Sequence, residues 1–407
     1  MVSKGGDLSA SDEALVHRTG GERTERRGIP GARVRWAAGC LLVGLVCGLP
    51  APSAAQGRAP QVALPLYDNG TESFIALDLA SGDCILTDRL KNDPLQVRSR
   101  GLRQNLFREI GRRTDLAAFA GEILLAPILG SDGSTRAAVF VETSTGYLAF
   151  FDDVGRDNRL GTISVALDRP FESLASMDGN YALLMQRDAA GRTDGAYLYH
   201  ATSGRASYYG GLRKLETVSA VVAVQGLPQL TGRVAAAAIQ STREQTVSYL
   251  VADGGNGDLY FFDLSANTPA RMTARKSPLN LSEAFPEPGP HATPQRFVAV
   301  PLLSSDERTR QVFFVDASSG AMALLDDLDQ QPALRSVAPN LYSALGPRTD
   351  EGGEASGPRV VTAVPAVGST GSTVGIWLLD SASGAVAFVD GPRSPEQTAV
   401  RRVTVGG

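Results

Sequence analysis

Short apolar runs separated by polar turns dominate the chain. In residues 311–327 (QVFFVDASSGAMALLDD), four apolar residues are followed by Asp316, a short polar link that ends in Gly320, and a second apolar run that ends at Asp326. Two apolar runs joined by a short glycine-containing link are typical of a β-hairpin. Because the first run is apolar at every position, it predicts a strand that is buried on both faces.

Nearly the same hairpin occurs six times. The six copies align without internal gaps, and the glycines that end their turns lie 53–64 residues apart. A recurring unit of this size indicates a stacked repeat architecture. Aspartate favours turns by hydrogen bonding to the backbone, and glycine does so by adopting positive φ. The residues to which we assign this structural turn role are Asp78, Asp316 and Asp380, with Gly82, Gly146, Gly204, Gly257, Gly320 and Gly384.

Each repeat contains two further strand-like runs. The run before the hairpin carries a proline in four repeats, at Pro65, Pro127, Pro301 and Pro365. Proline has no backbone donor, so we expect this run to be an edge strand or a bulged strand. A weaker run follows each hairpin. Four antiparallel strands per repeat, with the middle two covered on both faces, are the pattern of a β-propeller blade.

The six repeats therefore predict an all-β fold, a six-bladed β-propeller of four-stranded antiparallel blades within residues 56–407. The sequence offers no obvious strand exchange that would close the ring, because it runs from the first strand of the first repeat to the fourth strand of the sixth. An open array of repeats, or two smaller domains, is the alternative.

The hairpin VFFVDASSGAMALLDD (312–327) resembles the blades of quinoprotein-like and YVTN-type β-propeller repeats, whose hairpins carry a D-x-x-[ST]-G turn. The resemblance implies the propeller architecture. In quinoprotein-like repeats the strand after the turn usually ends in Trp. In this chain that strand ends in an aspartate or a glycine, and the absence of Trp argues against a quinone cofactor. The residues at this position are Asp88, Asp152, Gly210, Asp263, Asp326 and Asp390.

The first 55 residues have the pattern of an export signal. Residues 37–49 (AAGCLLVGLVCGL) form a short apolar run that follows Arg33 and Arg35 and precedes the small residues of PAPSAAQ. This pattern predicts a polar leader and a secretory signal peptide over residues 1–55, with export to the periplasm or the extracellular space. The run is shorter than a membrane span. The predicted mature chain then keeps a single cysteine, Cys84, which we expect to be buried.

The repeated carboxylates raise the possibility of a metal site. Along an extended hairpin Asp316 and Asp326 lie about 17 Å apart, at about 3.3 Å per residue, whereas calcium ligands lie about 2.3–2.6 Å from the ion. One hairpin therefore cannot place both acids on one ion, and the turn role is preferred. A ring of strand-end acids around one opening of the propeller is the arrangement that would bind a divalent cation: Asp152, Asp263, Asp326 and Asp390.

One segment interrupts the repeat with arginines. In residues 98–119, Leu102, Leu106 and Ile110 recur every four residues, which predicts an amphipathic helix. Its basic face would either be solvated or dock on an acidic protein or an anionic membrane surface. A second insertion, 277–295, is proline-rich and predicts a surface loop. The candidate partner-binding residues are Arg98, Arg100, Arg103, Arg108, Arg112 and Arg113.

Residues typical of catalysis are scarce. Beyond the leader there are only His200, at a turn-acid position, and His291, and there is no G-x-S-x-G motif. Trp377 lies within an apolar run, where we expect core packing. The formal net charge of −4 gives no indication of nucleic-acid binding. These features favour a non-catalytic, secreted or periplasmic propeller without a cofactor, acting as a protein-interaction scaffold or as a subunit of a cell-envelope complex.

Two other functions remain open. A metal-dependent lactone or sugar hydrolase of the propeller type would hold a divalent cation in the central channel. A glycan-binding lectin would need exposed aromatic side chains, which the sequence does not clearly provide.

Overall fold

The computed structural model describes most of the repeat region. The residues described are 43–44, 61–68, 70–78, 81–88, 90, 93–111, 123–143, 147–152, 154, 162–166, 180–212, 219–224, 226–241, 245–265, 271–285, 296–306, 308–346, 360–381 and 383–406.

Six antiparallel sheets of four strands each form the blades, and within every blade the strands pair in chain order. Strand β1 (Val43–Gly44) lies outside this scheme and pairs with the first strand of blade 4. Blade 1 comprises β2 (Gln61–Tyr67), β3 (Thr71–Asp78), β4 (Asp83–Asp88) and β5 (Gln96–Asn105). Blade 2 comprises β6 (Ile123–Leu129), β7 (Thr135–Glu142), β8 (Tyr147–Asp152) and β9 (Thr162–Ala166). Blade 3 comprises β10 (Tyr181–Arg187), β11 (Thr193–His200), β12 (Arg205–Gly210) and β13 (Ser219–Val224).

The remaining three blades repeat the plan. Blade 4 comprises β14 (Val234–Gln240), β15 (Thr246–Asp253), β16 (Asp258–Leu264) and β17 (Met272–Asn280). Blade 5 comprises β18 (Phe297–Leu303), β19 (Thr309–Asp316), β20 (Met322–Asp326) and β21 (Ala333–Val337). Blade 6 comprises β22 (Val361–Val367), β23 (Thr373–Asp380), β24 (Val386–Asp390) and β25 (Ala399–Arg402). Outside the blades lie β26 (Thr404–Gly406), the helices α1 (Leu106–Gly111) and α2 (Leu341–Leu345), and a short 3-10 helix, Leu281–Glu283.

The first strands of the blades contact one another in sequence, and β22 of blade 6 contacts β2 of blade 1. The blades therefore form one closed ring, and the predicted six-bladed propeller is confirmed. Each proline-bearing strand is the first of its blade, at the edge of its sheet, and its register shifts near its end. The middle strands are buried on both faces because a neighbouring blade covers each face, as at Phe313 and Phe314.

Blade 6 is joined to blade 1 on the outside of the ring. After β25 the chain crosses over, with Val403 buried, and β26 pairs parallel with the start of β5. Trp377 in β23 is buried at the same seam, where its indole N–H donates to the carbonyl oxygen of Pro94 at 3.1 Å. The expected core placement of Trp377 is therefore confirmed. A parallel outer strand thus closes the ring that the sequence pattern left open.

A threonine at the start of every second strand connects neighbouring blades. Its hydroxyl oxygen accepts a hydrogen bond of 2.9–3.2 Å from the backbone N–H of the last residue in the preceding blade's first strand. Blade 6 is connected to blade 1 in the same way, because the backbone N–H of Val367 donates to the hydroxyl oxygen of Thr71. Backbone groups that leave the sheet ladder at the register shift are thereby satisfied. The six residues are Thr71, Thr135, Thr193, Thr246, Thr309 and Thr373.

The predicted amphipathic helix over 98–119 is wrong in its first part. Residues up to Asn105 belong to strand β5, the helix α1 is limited to Leu106–Gly111, and residues 112–119 lie outside those described. The four-residue spacing of leucines is overridden because the third strand of blade 1 needs a hydrogen-bonding partner, and β5 supplies it. Leu106 lies deep in the core, and Leu102 is partly buried.

The predicted surface loop 277–295 is also wrong in its first part. Its residues up to Asn280 end the fourth strand of blade 4, and the 3-10 helix that follows buries Leu281. Phe285 is buried as well, whereas residues 286–295, including His291, lie outside those described. Cys84 is buried as expected, and burial raises the pKa of its thiol to about 12. No helix among the described residues is long and apolar enough to cross a membrane.

Candidate functional site

The turn residues lie within the hairpins and bond to them. Oδ1 of Asp316 accepts from the backbone N–H and the hydroxyl of Ser318 at 2.8 and 2.5 Å. Asp78 accepts from the backbone N–H of Ser81 at 2.9 Å, and Asp380 accepts from a serine hydroxyl in its own turn. The turn glycines other than Gly146, which is outside the described residues, have positive φ. These side chains stabilise turns and do not converge on a shared site.

His200 replaces the acid before the turn of blade 3. Its side chain is 4% exposed, its Nδ1 is hydrogen bonded to Oγ of Ser203 at 2.7 Å, and its ring centroid lies 4.8 Å from that of Tyr181. The imidazole therefore bonds within its own hairpin and packs against the first strand of the blade. This position offers no open face to a substrate.

The acids that end the third strands are also bonded within their blades. In four blades the carboxylate forms an ion pair with an arginine of the fourth strand, at 3.2–3.6 Å. These strands lie two places away from the first strands, so the pairs lie away from the axis. No group of three or more His, Cys, Asp or Glu in the described part of the chain could hold a metal ion. The pairs are Asp88–Arg100, Asp263–Arg275, Asp326–Arg335 and Asp390–Arg401.

Four arginines of the interrupted segment lie on the fourth strand of blade 1, whose start is paired with β26, or on the helix α1 that follows it. Arg98 and Arg100 are exposed on β5, Arg103 lies in its bulged part, and Arg108 is exposed on α1. Arg100 pairs with Asp88, whereas the other three make no ion pair with any described residue. Arg112 and Arg113 lie outside the described residues. The structure thus places four of the six candidate arginines on one edge of the propeller.

A pocket of about 400 Å³ opens beside this edge, between blades 1 and 2. Its base is formed by apolar groups from the strand ends of both blades, and its walls carry charged side chains. Thr135 forms part of the wall and is the one connecting threonine that is not buried, since the other five are at most 2% exposed. The lining residues are Leu66, Tyr67, Asp68, Glu72, Ser73, Leu86, Asp88, Arg100, Asp132, Ser134, Thr135, Arg136 and Val154.

Two Asp–Arg pairs fix the charged walls of this pocket. Asp88 Oδ2 lies 3.2 Å from Arg100, and Asp132, in the loop before β7, pairs with Arg136 at the start of that strand. Partial burial alone would raise the pKa of Asp132, but hydrogen bonds from Ser134 and the charge of Arg136 outweigh it and lower the pKa. Oδ1 of Asp88 is buried and has no hydrogen-bond partner.

The sequence pattern that would have revealed the connecting threonines is simple. Every one of the six lies eleven residues before a turn glycine, so Thr71 precedes Gly82 as Thr373 precedes Gly384. The D-x-x-[ST]-G pattern of the turns does not extend to this position. The pocket itself has no such signal, because its walls come from strands and loops of two blades and form only when those blades pack against each other.

No protein-family model and no curated protein matches this chain. Solved structures do match: AofleA from Arthrobotrys oligospora is 9% identical with a TM-score of 0.50, over 86% of this chain and 88% of that one. The periplasmic gluconolactonase PpgL of Pseudomonas aeruginosa is 13% identical with a TM-score of 0.44, over 85% and 86%. PorZ, a surface component of the type-IX secretion system of Porphyromonas gingivalis, is 11% identical with a TM-score of 0.39, over 86% and 39%.

At these identities the comparisons show the propeller fold alone. The resemblance to quinoprotein-like and YVTN-type repeats is not confirmed by any family match and stays a prediction. Function must be argued from the side chains of this chain.

Proposed function

We propose that this protein is a non-catalytic, exported β-propeller that binds a partner protein, either as an interaction scaffold or as a subunit of a cell-envelope complex. The observation that supports this most directly is the contrast among fourth-strand arginines. In blades 4, 5 and 6 an arginine on this strand pairs with the acid that ends the third strand. Blade 1 has such a pair too, but also exposes two arginines, Arg98 and Arg103, with no paired acid among the described residues, whereas blade 6 exposes one, Arg402.

The rest of the repeat chemistry supports a binding role over catalysis. The turn acids and His200 bond within hairpins, and the connecting threonines bond across seams. Among the described residues, Arg98, Arg103 and Arg108 are exposed together at the edge of blade 1, next to the pocket. Exposed arginines without intramolecular partners favour an acidic protein surface, because guanidinium groups pair with carboxylates in bidentate fashion.

Pull-down of the exported protein from its own envelope fraction tests the proposal. We expect a reproducible partner whose recovery falls as salt rises from about 0.05 to about 0.5 M, because exposed charges are screened at these concentrations. The double variant Arg98→Glu/Arg103→Glu should lose the partner. The matched control is Arg205→Glu/Arg271→Glu, which changes the net charge equally at exposed positions of blades 3 and 4.

Two results would contradict the proposal. One is equal recovery of partners by the test and control variants, which would remove the role of the blade 1 edge. The other is a divalent ion bound in stoichiometric amount to the purified protein, which would favour the metal-dependent hydrolase instead. Elemental analysis of the purified chain measures the second.

A further inference from the structure

In each blade the second strand pairs with one edge of the first strand, and the other edge of the first strand faces the axis of the ring. Along a strand, the N–H and C=O of one residue point to the same side, and successive residues alternate between the two sides. The carbonyl oxygen of Pro365 in blade 6 accepts from the hydroxyl of Thr71 in blade 1 at 2.7 Å, and that of Ala238 in blade 4 accepts from Thr309 in blade 5 at 3.4 Å. The backbone groups at this fifth position of the first strand therefore face the axial edge.

Proline blocks the axial edge in four of the six blades. It occupies the fifth position of the first strand in blades 1, 2, 5 and 6, where it removes the donor that would face the axis. Proline on an edge strand prevents pairing with a further strand. The same position is Met185 in blade 3 and Ala238 in blade 4. Two neighbouring blades therefore retain an axial donor that the other four lack.

The axial edge of blade 4 carries an additional strand. β1 pairs antiparallel with β14, with Val43 opposite Ala237 and Gly44 opposite Ala236. This pairing is on the side of β14 away from β15, so β1 lies inside the ring, near the first strands of blades 2, 3 and 5. Four consecutive alanines, residues 235–238, form the centre of β14, whereas β10 of blade 3 has Leu or Met at three of these positions. The small side chains of β14 leave room for an added strand.

The middle of the first strands carries no charged side chain. At the second to sixth positions of these six strands, all of them described, only Gln186 and Thr362 are polar. A charged side chain brought to this level of the ring would lose its hydration without gaining a counter-charge there. An apolar segment does not have this cost. The ring therefore favours an extended apolar segment over a charged one.

We propose that the axial edge of β14 is a strand-addition site, at which the partner protein inserts an extended apolar segment in the place of β1. The proposal rests on the proposed function and names the element that the partner contributes. The predicted signal peptide, residues 1–55, includes β1, so its removal on export would leave β14 without this strand. The segment would bond to the backbone groups of Ala236 and to the N–H of Ala238. Main-chain hydrogen bonds to a sheet edge supply affinity in complexes of this kind, and the side chains supply specificity.

A full chain whose own strand is released from β14 tests the proposal. Gly44→Pro removes the donor opposite Ala236, so β1 should no longer pair. The probe is a fluorescent peptide with the sequence of residues 38–48, with serine in place of Cys40 and Cys47 and a lysine tail for solubility. We expect saturable binding to the Gly44→Pro chain by fluorescence anisotropy, and binding weaker by about ten-fold or more to the unmodified chain, because its own tethered strand competes.

One further proline distinguishes the edges of the two blades. Gly44→Pro/Ala238→Pro gives blade 4 the proline that four other blades carry, and should weaken binding of the peptide by about ten-fold or more, because an axial donor is lost. Gly44→Pro/Met185→Pro is the matched control, since it makes the same change in blade 3 and should keep the binding. A peptide with proline in place of Gly44 should not bind. Equal binding to both double variants, or equal binding of the proline peptide, would overturn the proposal.

A disulfide test of the same edge needs no proline variant. In the full chain with serine at Cys40 and Cys47, Val43→Cys/Ala237→Cys places two thiols on directly opposite residues of an antiparallel pair, a separation that suits a disulfide. We expect this variant to form the cross-link on oxidation, as measured by peptide mapping. Val43→Cys/Val364→Cys, at the same strand position of blade 6, is the control and should not. Equal cross-linking of both variants would mean that the added strand does not select blade 4, and would overturn the proposal.

The two proposals fail in different ways. If the partner is recovered through the blade 1 edge but its recovery is unaffected by Ala238→Pro, the proposed function stands and the axial edge is excluded as its contact. If the peptide binds to Gly44→Pro and is lost with Ala238→Pro while no partner is recovered, the strand-addition site is supported and the scaffold role is contradicted.

Discussion

The seam between blades 5 and 6 and the seam between blades 1 and 2 use the same strands and the same threonine hydrogen bond. In the first, Thr373 is 2% exposed and the guanidinium of Arg393 lies beside it; in the second, Thr135 lines an open pocket. The backbone plan of the repeat is therefore compatible with both a filled and an open seam. A few side chains decide which of the two results.

The apolar side chains of the two seams should contribute similar amounts to the free energy of unfolding. Phe313 at the first seam and Ile75 at the second are both 0% exposed and belong to one continuous core. We expect Phe313→Ala to cost about 3–5 kcal/mol and Ile75→Ala about 2–5 kcal/mol of unfolding free energy, because each leaves a cavity. Denaturant unfolding measures both. A cost below about 1 kcal/mol for Ile75→Ala would mean that the open seam is loosely packed throughout.

The connecting threonines should contribute more to the free energy of unfolding at the filled seam than at the open one. Thr373→Val leaves the backbone N–H of Leu303 buried without an acceptor, so we expect a loss of roughly 1–3 kcal/mol in unfolding free energy. Thr135→Val should cost less, because water in the pocket can accept from the backbone N–H of Tyr67. The two variants are compared by denaturant unfolding. Equal losses would show that the wall of the pocket is as dry as the filled seam.

Removing the arginine should convert the filled seam into an open one. Arg393→Ala deletes the guanidinium that bonds to the carbonyl oxygen of Thr373, and we expect a loss of roughly 1–2 kcal/mol. N-acetyl-L-arginine amide should raise the unfolding temperature of this variant and leave that of the unmodified chain unchanged, because only the variant has lost the guanidinium group from this seam. Thermal unfolding with and without the amide gives the comparison. Equal shifts in both proteins would mean that the amide binds elsewhere.

The loop acids give the smallest expected difference. Hydrogen bonds from Ser304 and Arg310 lower the pKa of Asp306 in blade 5 to about 2, and the pKa of Asp132 in blade 2 is also lowered. A carboxyl whose pKa is lower in the folded chain stabilises it above the unfolded value of about 3.9, and this contribution is lost as the pH falls towards 2. NMR titration of the carboxyl carbons measures the pKa values. Asp306→Asn should flatten the pH dependence of stability over that window, whereas no change would contradict the assignment.

Much of the fold could be predicted from the sequence. The hairpin of Asp316 and Gly320 and the proline-bearing first strand are local patterns, and six copies of the hairpin predicted six blades. The helix over 98–105 failed because a leucine spacing of four is also compatible with a strand when a neighbouring strand offers hydrogen bonds. The composition of residues 98–119 identified the arginines as candidates. It did not indicate that they lie on the fourth strand of a blade.

The candidate pocket could not be predicted in the same way. Asp88 and Thr135 are 47 positions apart in sequence, and nothing local indicates that they line one pocket. The threonine connection was readable as a fixed spacing before the turn glycine. The group that donates to each threonine could not be identified from the sequence, because it is a backbone N–H, which every residue except proline carries.

By itself, the sequence determined the repeat, the turn chemistry and the alternation of strands, since these depend on hydrogen bonds and apolar contacts among residues close in the chain. Only the tertiary structure decided how the ring closes, which seam an arginine fills and which stays open. Those outcomes depend on pairs such as Thr71 and Val367, which are 296 positions apart and meet only when all six blades are in place.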